Sequence, residues 1–268
     1  MRFHKAWMAV ALLVVATACS KRAATPPAAA ALPKDTLPKE LVVGTSGGSP
    51  PYVTRRAGTI SGLELDLAAE VGKVLGVPVR IVDVPWDKLF DELGSRKVDV
   101  VMAGVTVTPE RQTRFAFAEP YLRTGIVALV QAKDRERLGS RDAACKSNVK
   151  VGVVGQTTGE RFVREHCPKA KVRVFATADD AVLELTHGRL DAVVGDGPVL
   201  AYLMSQQAVA LELVPTGNVD EQLAWMVRQN DTALQQALNG ALETMRRDGT
   251  LDRVLEKWIP QVERVRNP

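Results

Sequence analysis

Apolar positions along the chain fall into short runs, separated by stretches where they recur at helical spacing. Leu41-Val42-Val43-Gly44 reads as a short buried strand, followed by a Gly/Ser/Pro loop from Ser46 to Pro51. Ser61 and Glu64 have the spacing of a capping box. Behind them Leu63, Leu67, Val71 and Val74 mark one face of a helix that Gly76 ends. Val77 to Val84 is a predicted strand, Trp86 to Leu93 a short helix stopped by Gly94, and Val98 to Val105 a strand again. This βαβαβ order implies a mainly parallel sheet with helices on its faces.

The pattern then restarts. Lys150 to Val154 is a predicted strand, and Thr157 with Glu160 makes a second capping box for a helix up to about His166. Val172 to Phe175 is a strand. Thr177 caps a helix with Val182, Leu183 and Leu185 on its apolar side, ended by Gly188 before a strand from Leu190 to Val194. An internal echo links the two runs. Glu92-Leu93-Gly94-Ser95-Arg96-Lys97-Val98-Asp99 is matched by Glu184-Leu185-Thr186-His187-Gly188-Arg189-Leu190-Asp191. Each octet ends a helix, turns through Gly and a basic residue, and enters an apolar strand. Two similar α/β lobes are expected, with two C-terminal helices capped by Asp231 and Thr250.

Composition adds an export signal to this picture. The 268 residues are 46% hydrophobic and 25% charged, as in an ordinary globular protein. Met1-Arg2-Phe3-His4-Lys5 is basic, Ala6 to Ala18 is apolar, and Ala16-Thr17-Ala18 precedes Cys19. A basic start, a short apolar run and small residues before a cut site define a secretory signal, and the run is too short to span a bilayer. Small residues followed by Cys resemble the lipobox of bacterial lipoproteins, with Ala16 where Leu is more usual. That resemblance implies cleavage after residue 18 and acyl chains on Cys19; an ordinary secretion signal with an incidental Cys is the alternative. Residues 19–38, rich in Ala and Pro, form a predicted tether. Arg2 and Lys5 account for two of the four net positive charges, and the other basic residues are scattered among only 5% aromatics. A nucleic-acid footprint would need them clustered, so nucleic acid is not an expected partner.

Two further cysteines remain. Cys145 precedes the strand at 150 and Cys167 follows the helix after it. A strand and its crossover helix run antiparallel, so both cysteines fall at one end of the second lobe. A disulfide is geometrically reasonable there and suits an exported compartment; two free buried thiols are the alternative. No ligand pair has zinc-finger spacing, and neither a metal nor a cofactor is expected.

Several short motifs are decoys. Gly44-Thr45-Ser46-Gly47-Gly48 fits the G-x-S-x-G pattern of a hydrolase, but Ser49-Pro50-Pro51 follows where that motif requires a helix. Gly152, Gly155 and Gly159 lack dinucleotide spacing, yet their loop offers free N–H groups at a helix start, suited to a small anion. A second such place is Thr106-Val107-Thr108-Pro109-Glu110-Arg111, with Thr108 as N-cap and Pro109 at the first helical position. Arg111 presents a fork that can take a carboxylate, unless it is simply an Arg on a solvated face. Asp196 ends a strand in Gly195-Asp196-Gly197, as a ligand-facing carboxylate or as a turn or cap residue. A cation on one lobe and a carboxylate on the other would fit a zwitterion between them.

At this point the chain resembles the periplasmic binding proteins that serve ATP-driven polar-amino-acid transporters, over about residues 40 to 260. The elements that carry the resemblance are Gly62-Leu63-Glu64-Leu65-Asp66-Leu67-Ala68, the Thr106–Arg111 segment, Phe117-Ala118-Glu119-Pro120-Tyr121, Thr157-Thr158-Gly159, Gly188-Arg189-Leu190-Asp191-Ala192 and Arg247-Asp248-Gly249-Thr250, in that order. The resemblance implies a two-lobed clamp with two crossover strands. Residues 39–123 and 219–268 would form lobe 1, and 124–218 lobe 2.

It further implies that Arg111 and Thr106 hold the ligand carboxylate and that Thr158 adds a backbone donor. Gly104 and Asp196 would receive the ammonium, and Trp86 would cover the ligand. Ser46 and Ser49 also match ligand-facing positions. Basic-amino-acid binders often carry Asp where Ser46 stands, and many members an aromatic where Ser49 stands, so a polar, uncharged side chain is favoured. The implied partner is a membrane permease, which would read the closed form of a monomeric, lipid-anchored periplasmic protein. Two other readings stay open. Some relatives of this fold are cyclohexadienyl dehydratases, with a catalytic Glu where Val199 stands here. The chain could also be a sensor for a separate receptor.

Overall fold

The computed structural model describes residues 37–140, 143, 145–146 and 148–259. The export signal, Cys19 and all of the tether but Leu37 and Pro38 lie outside the described residues.

The chain opens with β1 (Leu41–Thr45), then three short strands, β2 (Gly48–Ser49), β3 (Val53–Arg56) and β4 (Thr59–Ser61). Helix α1 (Leu63–Leu75), β5 (Val79–Asp83), α2 (Trp86–Gly94), β6 (Val100–Val101), the single turn α3 (Pro109–Gln112) and β7 (Phe115–Phe117) follow. β8 (Leu122–Gln131) carries the chain into a second sheet. There α4 (Arg135–Leu138), β9 (Lys150–Val154), α5 (Thr158–His166), β10 (Lys171–Phe175), α6 (Ala178–Thr186), β11 (Ala192–Asp196) and α7 (Gly197–Ser205) are laid down. β12 (Leu211–Leu223) returns, and β13 (Met226–Arg228), α8 (Thr232–Arg247) and α9 (Thr250–Trp258) rejoin the first sheet and its helices.

Each lobe is built on a five-stranded mixed sheet. The first has the order β5-β1-β6-β13-β7 and the second β10-β9-β11-β8-β12. In each, three parallel strands come from the local βαβαβ run. The other two, β13 and β7 in the first sheet and β8 and β12 in the second, are joined through antiparallel pairs. Those two strands pair with each other from Leu211 opposite Gln131 to Leu223 opposite Leu122, with register shifts after Pro215 and after Asn218.

The echoed octets are the same structure built twice. Asp99 exchanges bonds with Val42: its N–H donates to the Val42 carbonyl at 2.8 Å, and its Oδ2 accepts from the Val42 N–H at 3.0 Å. Asp191 does the same with Lys150, at 2.9 and 2.8 Å. Each Asp thereby fixes the start of the strand beside it, β1 or β9. Each also meets an arginine, Arg228 at 3.4 Å and Arg137 at 2.8 Å.

Several element boundaries differ from expectation. Ser61 is not the N-cap of α1; it ends β4, and Gly62 caps the helix at φ 148°. The first donors of α1 go to the carbonyls of Pro51 and Tyr52, so no side-chain cap is needed. A Cβ at Gly62 would stand 2.2 Å from the Tyr52 carbonyl oxygen, so this packing requires glycine. Glu64 points into the core, where it is 1% exposed. The strand expected over 98–105 is laddered only at Val100–Val101, and the strand expected to end at Val194 runs on to Asp196. Asp231 stands at an N-cap without a side-chain cap bond, and Gly249, not Thr250, caps the last helix. The caps at Thr108, Thr157 and Thr177 form as expected, each hydroxyl accepting a backbone N–H three residues on. Cys145 and Cys167 are joined in a disulfide, with Cα atoms 4.4 Å apart. Among the described residues no helix is long and apolar enough to cross a membrane.

Candidate functional site

A cleft of about 510 Å³ runs between the two lobes. Its first-lobe wall carries Ser46, Ser49, Trp86, Gly104, Thr106 and Arg111, and its second-lobe wall carries Thr158 and Asp196. All eight residues singled out in the sequence therefore line one space.

Arg111 stands on the single turn α3, held by the Thr108 cap, whose Oγ1 accepts the Arg111 N–H at 3.2 Å. Its Nη1 donates to the Thr106 carbonyl at 2.8 Å, and its Nη2 crosses the cleft to the Gln156 carbonyl at 3.3 Å. The guanidinium lies 5.7 Å from the Trp86 ring centroid and 5.3 Å from that of Phe90, within cation–π range. Burial pulls its pKa down, and the negative charge of Asp196 opposes that pull. A guanidinium stays charged under such a shift, so the cleft holds a positioned, partly desolvated cation.

Thr158 opens α5 and is buried. The capping box around it closes one residue early: Glu160 accepts the N–H of Gln156 at 2.7 Å, while Thr157 accepts that of Glu160 at 3.3 Å. Asp196 ends β11 and occupies the N-cap of α7 without making a cap bond. It faces Glu221 of β12 instead. Burial, then the charge of Glu221, raises its pKa to about 8. Burial also raises that of Glu221, against hydrogen bonds to Thr158 and Asp196 and the attraction of Arg111 and Arg161. Neighbouring carboxyl groups taken from water resist ionising together, which is why both pKa values rise.

Gly104 has φ 68°, and a Cβ there would stand 2.4 Å from the Tyr52 ring. Its N–H donates to Glu64 Oε1 at 2.6 Å. Glu64 also accepts from the Tyr121 hydroxyl at 2.6 Å and from the Trp225 indole at 3.2 Å. Burial raises its pKa. One buried carboxylate thus fixes the backbone of the cleft floor.

Glu221, Glu64 and Tyr52 were not singled out as site residues. Glu221 had one readable signal: it shares alternation parity with the buried Leu223 and Trp225, so an acid sits on an inward face. Arg55 also lines the cleft, bound to Asp83 at 2.5 Å. The hydrolase motif at Ser46 is followed by a short strand, and no histidine lines the cleft among the described residues. His166 bonds the Phe162 carbonyl at its own helix end, and His187 sits beside Arg189. No group of three or more potential metal ligands occurs among the described residues.

Two α/β lobes, two crossover strands and an interlobe cleft that holds an arginine opposite an aspartate define a clamp for a small molecule. The family model for bacterial extracellular solute-binding proteins, family 3, matches residues 41–261, and the chain belongs to that family. It is 31% identical over 260 residues to a probable histidine-binding protein of Neisseria gonorrhoeae, covering 95% of this chain and 96% of the relative. It is 29% identical over 220 residues to the L-cystine-binding protein TcyJ of Escherichia coli K12, covering 82% of each. Among solved structures it is similar to an ancestral amino acid-binding protein described as a precursor of cyclohexadienyl dehydratase. That match has 37% identity and a TM-score of 0.76, and covers 82% of this chain and 95% of the other.

Proposed function

We propose that this chain captures an amino acid between its lobes and delivers it to an ATP-driven permease in the membrane. One observation carries the reading: a half-buried arginine, Arg111, on one wall of the cleft faces the carboxyl group of Asp196 on the other. That arrangement complements a zwitterion, whose charge-assisted bonds contribute roughly 1.5–3 kcal/mol each. Arg111 and Thr106 take the carboxylate, helped by the N–H of Thr158. Asp196 and the Gly104 carbonyl take the ammonium. Trp86 covers the side chain, which Ser46 and Ser49 favour as polar and uncharged.

Closure turns on β8 and β12, with lobe 1 formed by 39–123 and 219–268 and lobe 2 by 124–218. The bonds Arg111 to Gln156 and Arg56 Nη2 to Tyr202 Oη, 3.3 Å each, join the lobes and support a closed form that a permease can read. The names of the relatives support binding over catalysis, and Val199 in the cleft wall supplies no acid for an elimination. The protein works as a monomer, exported and held to the membrane by acyl chains on Cys19, with residues 20–38 as a spacer.

The test is calorimetric titration of the folded body with the twenty amino acids and L-cystine. At least one is expected to bind, and Arg111→Ala to weaken it by at least roughly tenfold, the loss of one charge-assisted pair. Absence of heat with every one of them overturns the reading, and unchanged affinity in Arg111→Ala overturns the clamp.

A further inference from the structure

We propose that Arg55 reads the ligand's side chain, donating to a carbonyl or carboxylate oxygen at its far end and disfavouring a cation there. The proposal rests on the amino-acid reading above and adds to it the residue that selects the ligand. Arg55 stands on β3 and lines the cleft, with its side chain 51% exposed. Its place is fixed by Asp83 at the end of β5. Nε and Nη2 both donate to Asp83 Oδ2, at 2.7 and 2.5 Å, while Oδ1 accepts the Gly47 N–H at 3.1 Å. A Cβ at Gly47 would stand 2.9 Å from the Arg55 Cβ, so the bare glycine lets the arginine stem lie against the loop.

These contacts put Arg55 on the part of the wall that meets a side chain. Gly47 lies between Ser46 and Ser49, and Trp86 opens α2 three residues after Asp83. The walls draw together here, since a Cβ at Gly48 would stand 3.1 Å from Cγ2 of Thr177 on the second lobe. Among the described residues the charged groups lining the cleft are Arg55, Asp87, Arg111 and Asp196. The head group of an amino acid takes Arg111 and Asp196, which leaves Arg55 and Asp87 for what lies beyond it. Asp87 is 54% exposed with Lys88 Nζ 3.6 Å away, and an acid so solvated and screened attracts a cation weakly. Arg55 is the anchored group. Asp83 occupies the Nε–Nη2 edge of its fork, and Nη1 bonds no other group among the described residues. A guanidinium has donors only, so this edge suits an acceptor oxygen and repels an ammonium or a second guanidinium. Both oxygens of Asp83 are already taken, so it offers such a cation little in return.

The experiment is calorimetric titration of the intact folded protein with the twenty amino acids, L-citrulline and L-cystine. The tightest of these is expected to end in a carbonyl or carboxylate oxygen. It should bind at least roughly tenfold tighter than a counterpart of like length without that oxygen, as citrulline against arginine or glutamine against lysine. In Arg55→Met, which keeps an apolar stem, that margin should fall towards one. A purely structural role for Arg55 would weaken both members of the pair alike and leave the margin, which overturns the proposal. A tightest ligand whose side chain ends in a cation or in any group other than such an oxygen overturns it too, and leaves the amino-acid reading standing. If no amino acid binds the wild-type protein, both fall. If Arg55→Met fails to fold, the wild-type ranking of ligands still decides.

Discussion

The carboxylate of Glu64 ties three distant parts of the first lobe to one point: the Gly104 amide, the Tyr121 hydroxyl and the Trp225 indole. All three partners are buried or sit in the cleft wall, so removing the acceptor strands three donors. Each orphaned donor costs about 1–3 kcal/mol, and Glu64→Ala is expected to lose at least ~3 kcal/mol of stability. Glu64→Gln keeps one acceptor oxygen and should lose less; urea unfolding of both variants checks the order. A loss below ~1 kcal/mol in Glu64→Ala would show that the three donors find other partners. In the sequence, Glu64 is indistinguishable from a capping-box Glu, because Ser61 stands three residues before it. The cap fails because the carbonyls of Pro51 and Tyr52 already occupy the first N–H groups of α1. Arg111 and Asp196 were readable because each sits where a strand ends and a helix begins, and strand ends are where such sheets place ligands.

At the scale of elements, local chemistry decides most of the architecture. The threonine caps at 108, 157 and 177 need only a hydroxyl three residues ahead of a backbone N–H, and all three form. The cap on α3 matters for function, since a helix of four residues has little else to orient Arg111. Thr108→Ala is expected to lower stability by about 1 kcal/mol and to weaken ligand binding by a few-fold through misplacement of Arg111. Thermal unfolding and titration of the same variant separate the two effects; stability loss with unchanged affinity would mean that the Thr106 carbonyl alone holds the guanidinium. The repeated octets were legible for the same reason, since Asp99 and Asp191 close their loops onto the neighbouring strand. The crossover strands were not legible as elements. β8 and β12 are defined by their pairing across about ninety residues of chain, as between Val127 and Pro215. No periodicity within either segment reports that partner.

At the scale of the whole molecule, the two lobes bring an arginine and an aspartate to one cleft. Attachment belongs to this scale too. Protein recovered from its own cells is expected to start at Cys19 and to carry acyl mass there, as intact-mass spectrometry would read. A chain cleaved elsewhere, or an unmodified Cys19, would remove the anchor from the proposal. The sequence by itself determined the two βαβαβ runs, the three threonine caps and the echo between the lobes, and it pointed to Arg111, Asp196 and a reasonable cysteine pair; the other six residues of the cleft wall came from the resemblance to a known family. The features read without that resemblance depend on nearest neighbours along the chain or on residue types at strand ends, and both leave local patterns. Only the tertiary structure decided that Glu64 is a buried acceptor, that Gly62 replaces Ser61 as a cap, and that Glu221 meets Asp196. Burial and the approach of one carboxyl group to another are set by how distant segments pack. Desolvation, which raises the pKa of those carboxyl groups, comes into being only when the chain closes around them.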